Sequence, residues 1–98
     1  MAELTDNTDR QRFEMAVDGS VAFVTYRLHG DTLTLLHTEV PPALGGRGIG
    51  SALAQNVLDE ARRRGLHVIP RCEFLAGYIQ RHPAYADLVA KSGSGGTA

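Results

Sequence analysis

Tryptophan is absent from this chain and cysteine occurs once, as Cys72. A lone thiol cannot form an internal disulfide, so the fold rests on its core, and a reducing, cytoplasmic location is expected. Three tyrosines and three phenylalanines are too few for the stacking platform that binds single-stranded nucleic acid. Ten Lys and Arg against eleven Asp and Glu leave a formal net charge of -1, which argues against a nucleic-acid partner. Apolar runs last only a few residues, so no segment is expected to span a membrane. The opening MAELTDNTDRQRFE is polar and acidic and does not read as a signal peptide. No metal is expected at a site. What is present is a chain of 98 residues, 43% hydrophobic, enough for one modest core and one domain.

The polar ends are expected to be loose: residues 1–9 as a flexible N-terminus, and 91–98 (KSGSGGTA) as a disordered tail. Between them, residues 10–90 form the domain. RFEMAV alternates Phe13, Met15 and Val17 before the Asp18-Gly19 turn. SVAFVTYRL is apolar on both faces, which predicts a central strand. DTLTLLHTEV alternates Leu33, Leu35, His37 and Glu39 against Thr34, Leu36, Thr38 and Val40. These three segments predict an antiparallel meander. From Ile49 to Arg64 the period changes to that of a helix, with Ile49, Leu53, Val57 and Ala61 as its stripe. Asp59 with Arg63 and Glu60 with Arg64 are favourable i,i+4 pairs. Gly65 ends the helix. LHVIPRC is expected as a strand parallel to the third, EFLAGYIQRH as a second helix, and AYADLVA as a short final element. The fold class is α+β: a mixed sheet with two packed helices.

The stretch HTEVPPALGGRGIGSALAQ places Gly45, Gly46, Gly48 and Gly50 at a strand-to-helix junction with Arg47 among them. Such a loop exposes unpaired backbone N–H groups at the positive end of a helix, a geometry suited to phosphate. Neither a P-loop nor a dinucleotide fingerprint fits, because no Lys-Ser/Thr pair and no correctly spaced third glycine follow.

VPPALGGRGIGSALAQNVLDEARRRG resembles the pyrophosphate-binding segment of the GNAT superfamily of acyl-CoA-dependent N-acetyltransferases. Gly48-Ile49-Gly50 match its Arg/Gln-x-x-Gly-x-Gly/Ala pattern. Gly45 stands where arginine or glutamine is usual, leaving Arg47 as the nearby charge. With DG, HTEVP, VIPRC and YIQRHPAY, the match runs from about Phe13 to Val89 and is similar to the short, single-domain branch of the superfamily. The resemblance implies a minimal GNAT-like fold that binds acetyl-CoA (coenzyme A) where two parallel strands splay apart. Backbone N–H groups from Arg47 through Gly48, Ile49, Gly50 and Ser51 would hold the pyrophosphate, and the backbone from Thr38 to Val40 would pair with the pantetheine arm. The chemistry implied is attack of an amine on a thioester carbonyl.

Four residues are candidates for that chemistry. His37, near the strand end, is either a general base or a strand-end histidine bonded to a carbonyl. Glu39 either orients His37 and attracts an ammonium or is a solvated carboxylate; a bulge in the strand would re-aim both. Cys72 is either a small buried hydrophobe or, beside Arg71 and a helix N-terminus, a thiolate nucleophile. Tyr78 is either a core tyrosine or, as the resemblance implies, a donor to the leaving thiolate and a cofactor contact. Arg81 and His82 are candidates for the 3′-phosphate or ordinary surface residues. The expected activity is N-acetyl transfer to a primary amine of a small molecule or protein, by a monomer or weak dimer. A non-catalytic CoA-binding module and a protein-interaction domain are the alternatives.

Overall fold

Strands that alternate apolar and polar side chains bury one face only, and here that face is covered by both helices. The computed structural model describes residues 3–90; the expected tail at 91–98 lies outside the described residues. Strands β1 (Leu4–Asn7), β2 (Arg12–Val17), β3 (Ser20–His29) and β4 (Thr32–Glu39) follow one another as antiparallel neighbours. Strand β5 (His67–Pro70) then pairs parallel to β4, so the sheet order is β1-β2-β3-β4-β5. The α+β class and the parallel fifth strand agree with expectation.

The N-terminus corrects it. Leu4–Asn7 is not loose but adds a fourth antiparallel strand, with Leu4 opposite Met15 and Asp6 opposite Phe13. Asp6 carries the reason: its carboxylate accepts the Tyr26 hydroxyl at 2.5 Å and pairs with Arg64 at 3.1 Å. The edge strand is thereby fastened to β3 and to the end of the first helix. Burial and the Asp6 carboxylate push the Tyr26 hydroxyl up to about 12.

Helix α1 (Ile49–Arg63) buries Leu53, Ala54, Val57, Leu58 and Ala61 against Phe13, Met15, Ala22, Val24, Leu33, Leu35 and Val68 of the sheet. Helix α2 (Glu73–Arg81) adds Leu75, Tyr78 and Ile79. The order strand, helix, strand explains the parallel pair, because the α1 crossover returns the chain to the same end of the sheet. A 3-10 segment, Pro83–Leu88, follows, and Val89 bridges Val68.

Two further expectations change. Strand β3 is central, but only Ala22, Val24 and Tyr26 are buried; Val21 and Leu28 are exposed on a strand covered by helices on one face. Of the two helix pairs, Glu60 does meet Arg64, at 2.6 Å. Arg63 takes Glu60 as well, not Asp59. Asp59 instead accepts the Tyr85 hydroxyl at 2.7 Å, tying the final 3-10 segment to α1. Arg62 does the same through Asp87 at 2.9 Å and the Ala84 carbonyl at 2.8 Å.

Candidate functional site

One unpaired residue decides how the site is laid out. On β3, Tyr26 and Thr25 are consecutive, yet their partners on β4 are Leu35 and His37. Leu36 is the extra residue of a β-bulge, which bends the strand and shifts its alternation. The expectation that His37 and Glu39 share the face of Leu33 and Leu35 is corrected here. Leu33 and Leu35 are buried in the core, whereas His37 opposite Thr25 and Glu39 opposite Phe23 stand on the open face. Their side chains are 62% and 59% exposed, and His37 Nε2 lies 3.2 Å from Glu39 Oε1. Beside them Arg12 covers the Phe23 ring, its guanidinium 4.2 Å from the centroid. Arg12 also hydrogen-bonds Glu14 and holds that carboxyl below its ordinary range.

Thr38 turns the other way, toward the core side opposite Val24. Its hydroxyl lies 3.3 Å from Cys72 Sγ. Cys72 is half-buried and is the N-cap residue of α2. Its position follows from the end of the parallel pair: the N–H groups of Arg71 and Cys72 both donate to the Leu35 carbonyl, at 2.9 and 3.1 Å. Pairing between β4 and β5 stops at Leu35 and Pro70, while β4 continues to Glu39. The two strands part at this point. The backbone of β4 from Leu36 onward therefore has no strand on its β5 side.

The loop from Val40 to α1 is anchored by Leu44, which is 1% exposed, through a 3-10 turn at Pro42–Leu44. Gly46 and Gly48 then take positive φ, 77° and 71°, and Gly48 is the N-cap of α1. A left-handed residue here is what turns the chain into the helix, and glycine adopts it without strain. As glycine has no side chain, α1 has no side-chain cap, and no acidic residue occupies its first turn. The first intrahelical donor is Ala52 to the Gly48 carbonyl at 3.0 Å, which leaves the N–H groups of Ile49, Gly50 and Ser51 without helical acceptors. A Cβ built at Gly48 would meet nothing within 4 Å. An open, uncapped helix start with free donors fits an anionic group such as a pyrophosphate.

The remaining candidates are distributed as follows. Arg47 pairs with Asp18 of the β2–β3 turn at 2.7 Å, with both side chains largely exposed; such a pair is weak and exchangeable. Tyr78 is 4% exposed, stacked on the His82 ring at 4.0 Å. His82 Nδ1 donates to the Tyr78 carbonyl at 2.8 Å. Arg81 and His82 stand at the opposite end of α2 from Cys72. The structure thus gathers His37, Thr38, Glu39 and Cys72 around the point where β4 leaves β5, and does not gather Arg81 and His82 with them. Two contacts escaped sequence reasoning. The Thr38 hydroxyl meets a thiol 34 residues away, for which no local signal exists. Phe74, 39% exposed, lies against Gly50; side by side with Leu75 in EFLAGYIQRH, it carries no local sign of that contact.

Comparison with known proteins, by sequence and by structure, identifies the family. The sequence pattern of the family described as GCN5-related N-acetyl-transferase matches residues 12–88. Protein NATD1 of Xenopus tropicalis is 32% identical over 77 residues, covering 76% of this chain and 71% of its own. Protein NATD1 of Mus musculus is 35% identical over 80 residues, covering 76% and 73%. The NMR solution structure of a Staphylococcus aureus protein described as GCN5-like superposes with a TM-score of 0.69 at 27% identity, over 90% of this chain and 87% of that one. A match across nearly the whole sheet and both helices leaves one conclusion: the chain belongs to the GCN5-related N-acetyltransferase family.

Proposed function

We propose that the protein is an acetyl-CoA-dependent N-acetyltransferase that acetylates a primary amine, of a small molecule or a protein, in the cytoplasm. The observation that carries this reading is the parting of β4 from β5 at Leu35 and Pro70 beside an uncapped α1. Backbone N–H groups of Ile49, Gly50 and Ser51 would hold the pyrophosphate, with Arg47 exchanging Asp18 for it. The free edge of β4 from Thr38 to Val40 would hold the pantetheine arm as an added strand does. When bound, acetyl-CoA supplies an acyl group activated as a thioester.

The chain's own residues then divide the work across the strand. On the open face, His37 takes the proton of the incoming ammonium, directly or through a water, and Glu39 at 3.2 Å stabilises the imidazolium formed. The exposure of both lets that proton pass to solvent. On the core side, the Thr38 hydroxyl and the Cys72 thiol, 3.3 Å apart, are donors placed just beyond the end of β5. Tyr78, buried in the core, steadies the far end of α2 through its stack on His82.

Thermal melting tests the reading. Acetyl-CoA at a hundred times its Kd should stabilise the fold by about 2.7 kcal/mol and raise Tm accordingly. Gly48→Val should lose this response, because its side chain enters the open space at the helix start and its φ of 71° adds strain of about 1–2 kcal/mol. No shift of the unmutated protein at millimolar acetyl-CoA would overturn the proposal.

A further inference from the structure

Phe74 is the second residue of α2 and keeps 39% of its surface exposed, although Leu75 beside it is fully buried. Its ring does not project idly. A Cβ built at Gly50 would lie 3.0 Å from Phe74 Cζ and 3.6 and 3.7 Å from Cε1 and Cε2. The tip of the ring therefore rests end-on against the first turn of α1, close to the free N–H groups of Ile49, Gly50 and Ser51. Behind it, one residue along the chain from Glu73, is Cys72 with the Thr38 hydroxyl. Phe74 thus spans the gap between the two uncapped helix starts, on the side where β4 has left β5.

We infer that Phe74 is a cofactor-contact residue that packs on the pantetheine arm, and that Gly50 lacks a side chain because Phe74 occupies that space. The first half rests on the proposed acetyl-CoA site: an arm running from the α1 start to the Thr38–Cys72 pair must pass the ring. An exposed phenyl at that place buries apolar surface when the arm is bound and none when only the nucleotide end is bound. The second half rests on the contact between Gly50 and the ring alone. Unlike Gly48, Gly50 does not have positive φ, so nothing in its backbone demands glycine. It sits in the first turn of a helix, where alanine is the better helix former. Only the ring tip at 3.0 Å stands against a Cβ.

The two halves are tested separately. For the cofactor contact, titration calorimetry compares acetyl-CoA with 3′-phosphoadenosine 5′-diphosphate, which carries the nucleotide end without pantetheine. Phe74→Ala should weaken acetyl-CoA roughly tenfold and leave the nucleotide fragment within about twofold, with Phe74→Leu in between. Equal losses for the two ligands, or no loss for either, would overturn the contact. If the unmutated chain binds neither ligand, the cofactor reading itself fails and this contact with it.

The glycine is read from melting temperatures without ligand, so that result is independent. Gly50→Ala should lower Tm in the unmutated chain and raise it in the Phe74→Ala background, where helix preference acts without the clash. A rise in both backgrounds would show that the ring yields freely, and a fall in both would show that something other than Phe74 requires glycine. Either result overturns the second half.

Discussion

Deleting Leu36 should separate the fold from the cofactor site. Leu36 has no partner on β3, so its removal leaves Tyr26 opposite Leu35 and Thr25 opposite His37. His37 and Glu39 keep the open face, Thr38 keeps the core side, and the ladder becomes regular. The side chain lost is 39% exposed. Since full burial of a leucine stabilises by about 1.5–3 kcal/mol, its partial burial contributes about 1 kcal/mol, which a single-domain fold survives. The bend of β4 does not survive, because the bulge produces it. A straight β4 would run on beside Arg71 and Cys72, whose N–H groups are already drawn to the Leu35 carbonyl, and the free edge would narrow. If two backbone hydrogen bonds to the pantetheine arm are lost at about 1 kcal/mol each, acetyl-CoA affinity falls roughly thirtyfold. Calorimetric titration measures this, with Leu36→Ala as the control that keeps the bulge and binds normally. A deletion variant that folds and binds acetyl-CoA as tightly as the unmutated chain would refute the role given to the bulge.

Further outcomes follow from the same geometry. His37→Ala should lower turnover roughly a hundredfold with acetyl-CoA affinity nearly unchanged, measured by steady-state kinetics and binding; unchanged turnover would return His37 to a surface role. Cys72 should react with iodoacetamide in the folded protein and be protected by bound CoA, as followed by mass spectrometry. A thiol inert until unfolding would make it a core residue only. Hydrogen bonding to Arg63, with Arg64 in support, holds the Glu60 carboxyl at about 2. As that lies below its ordinary value of 4.5, the stabilisation is complete above about pH 4.5 and is lost as pH falls toward 2. Glu60→Gln should remove that acid dependence and cost about 1 kcal/mol at neutral pH, discounted for the exposed Arg63 partner, as measured by urea melts from pH 2 to 7.

Local pattern made most of the sheet and both helices legible, since period two and period 3.6 each bury one face against the other. The strand at Leu4–Asn7 was not, because LTDN has one apolar residue and its stability comes from Asp6 meeting Tyr26 and Arg64 across the fold. The uncapped start of α1 could be read from the glycines and the helix that follows. The facing of His37 and Glu39 could not, because a bulge adds a residue without leaving any mark in composition: LTLLHTE alternates acceptably with or without it. Glu60 rather than Asp59 serves Arg63 because Tyr85, distant in sequence, claims the Asp59 carboxylate. A Cβ at Gly50 would meet the Phe74 ring at 3.0 Å, a contact made only when the two helices pack and therefore absent from local pattern.

If the first turn of α1 receives the pyrophosphate of acetyl-CoA, amide NMR during a titration with acetyl-CoA reports it residue by residue. The largest shifts are expected at the backbone N–H groups of Ile49, Gly50 and Ser51, with a second group at Thr38 to Val40 along the free edge of β4. Small, scattered shifts, or shifts centred on the far end of α2 at Arg81 and His82 with none at Ile49 to Ser51, would contradict it.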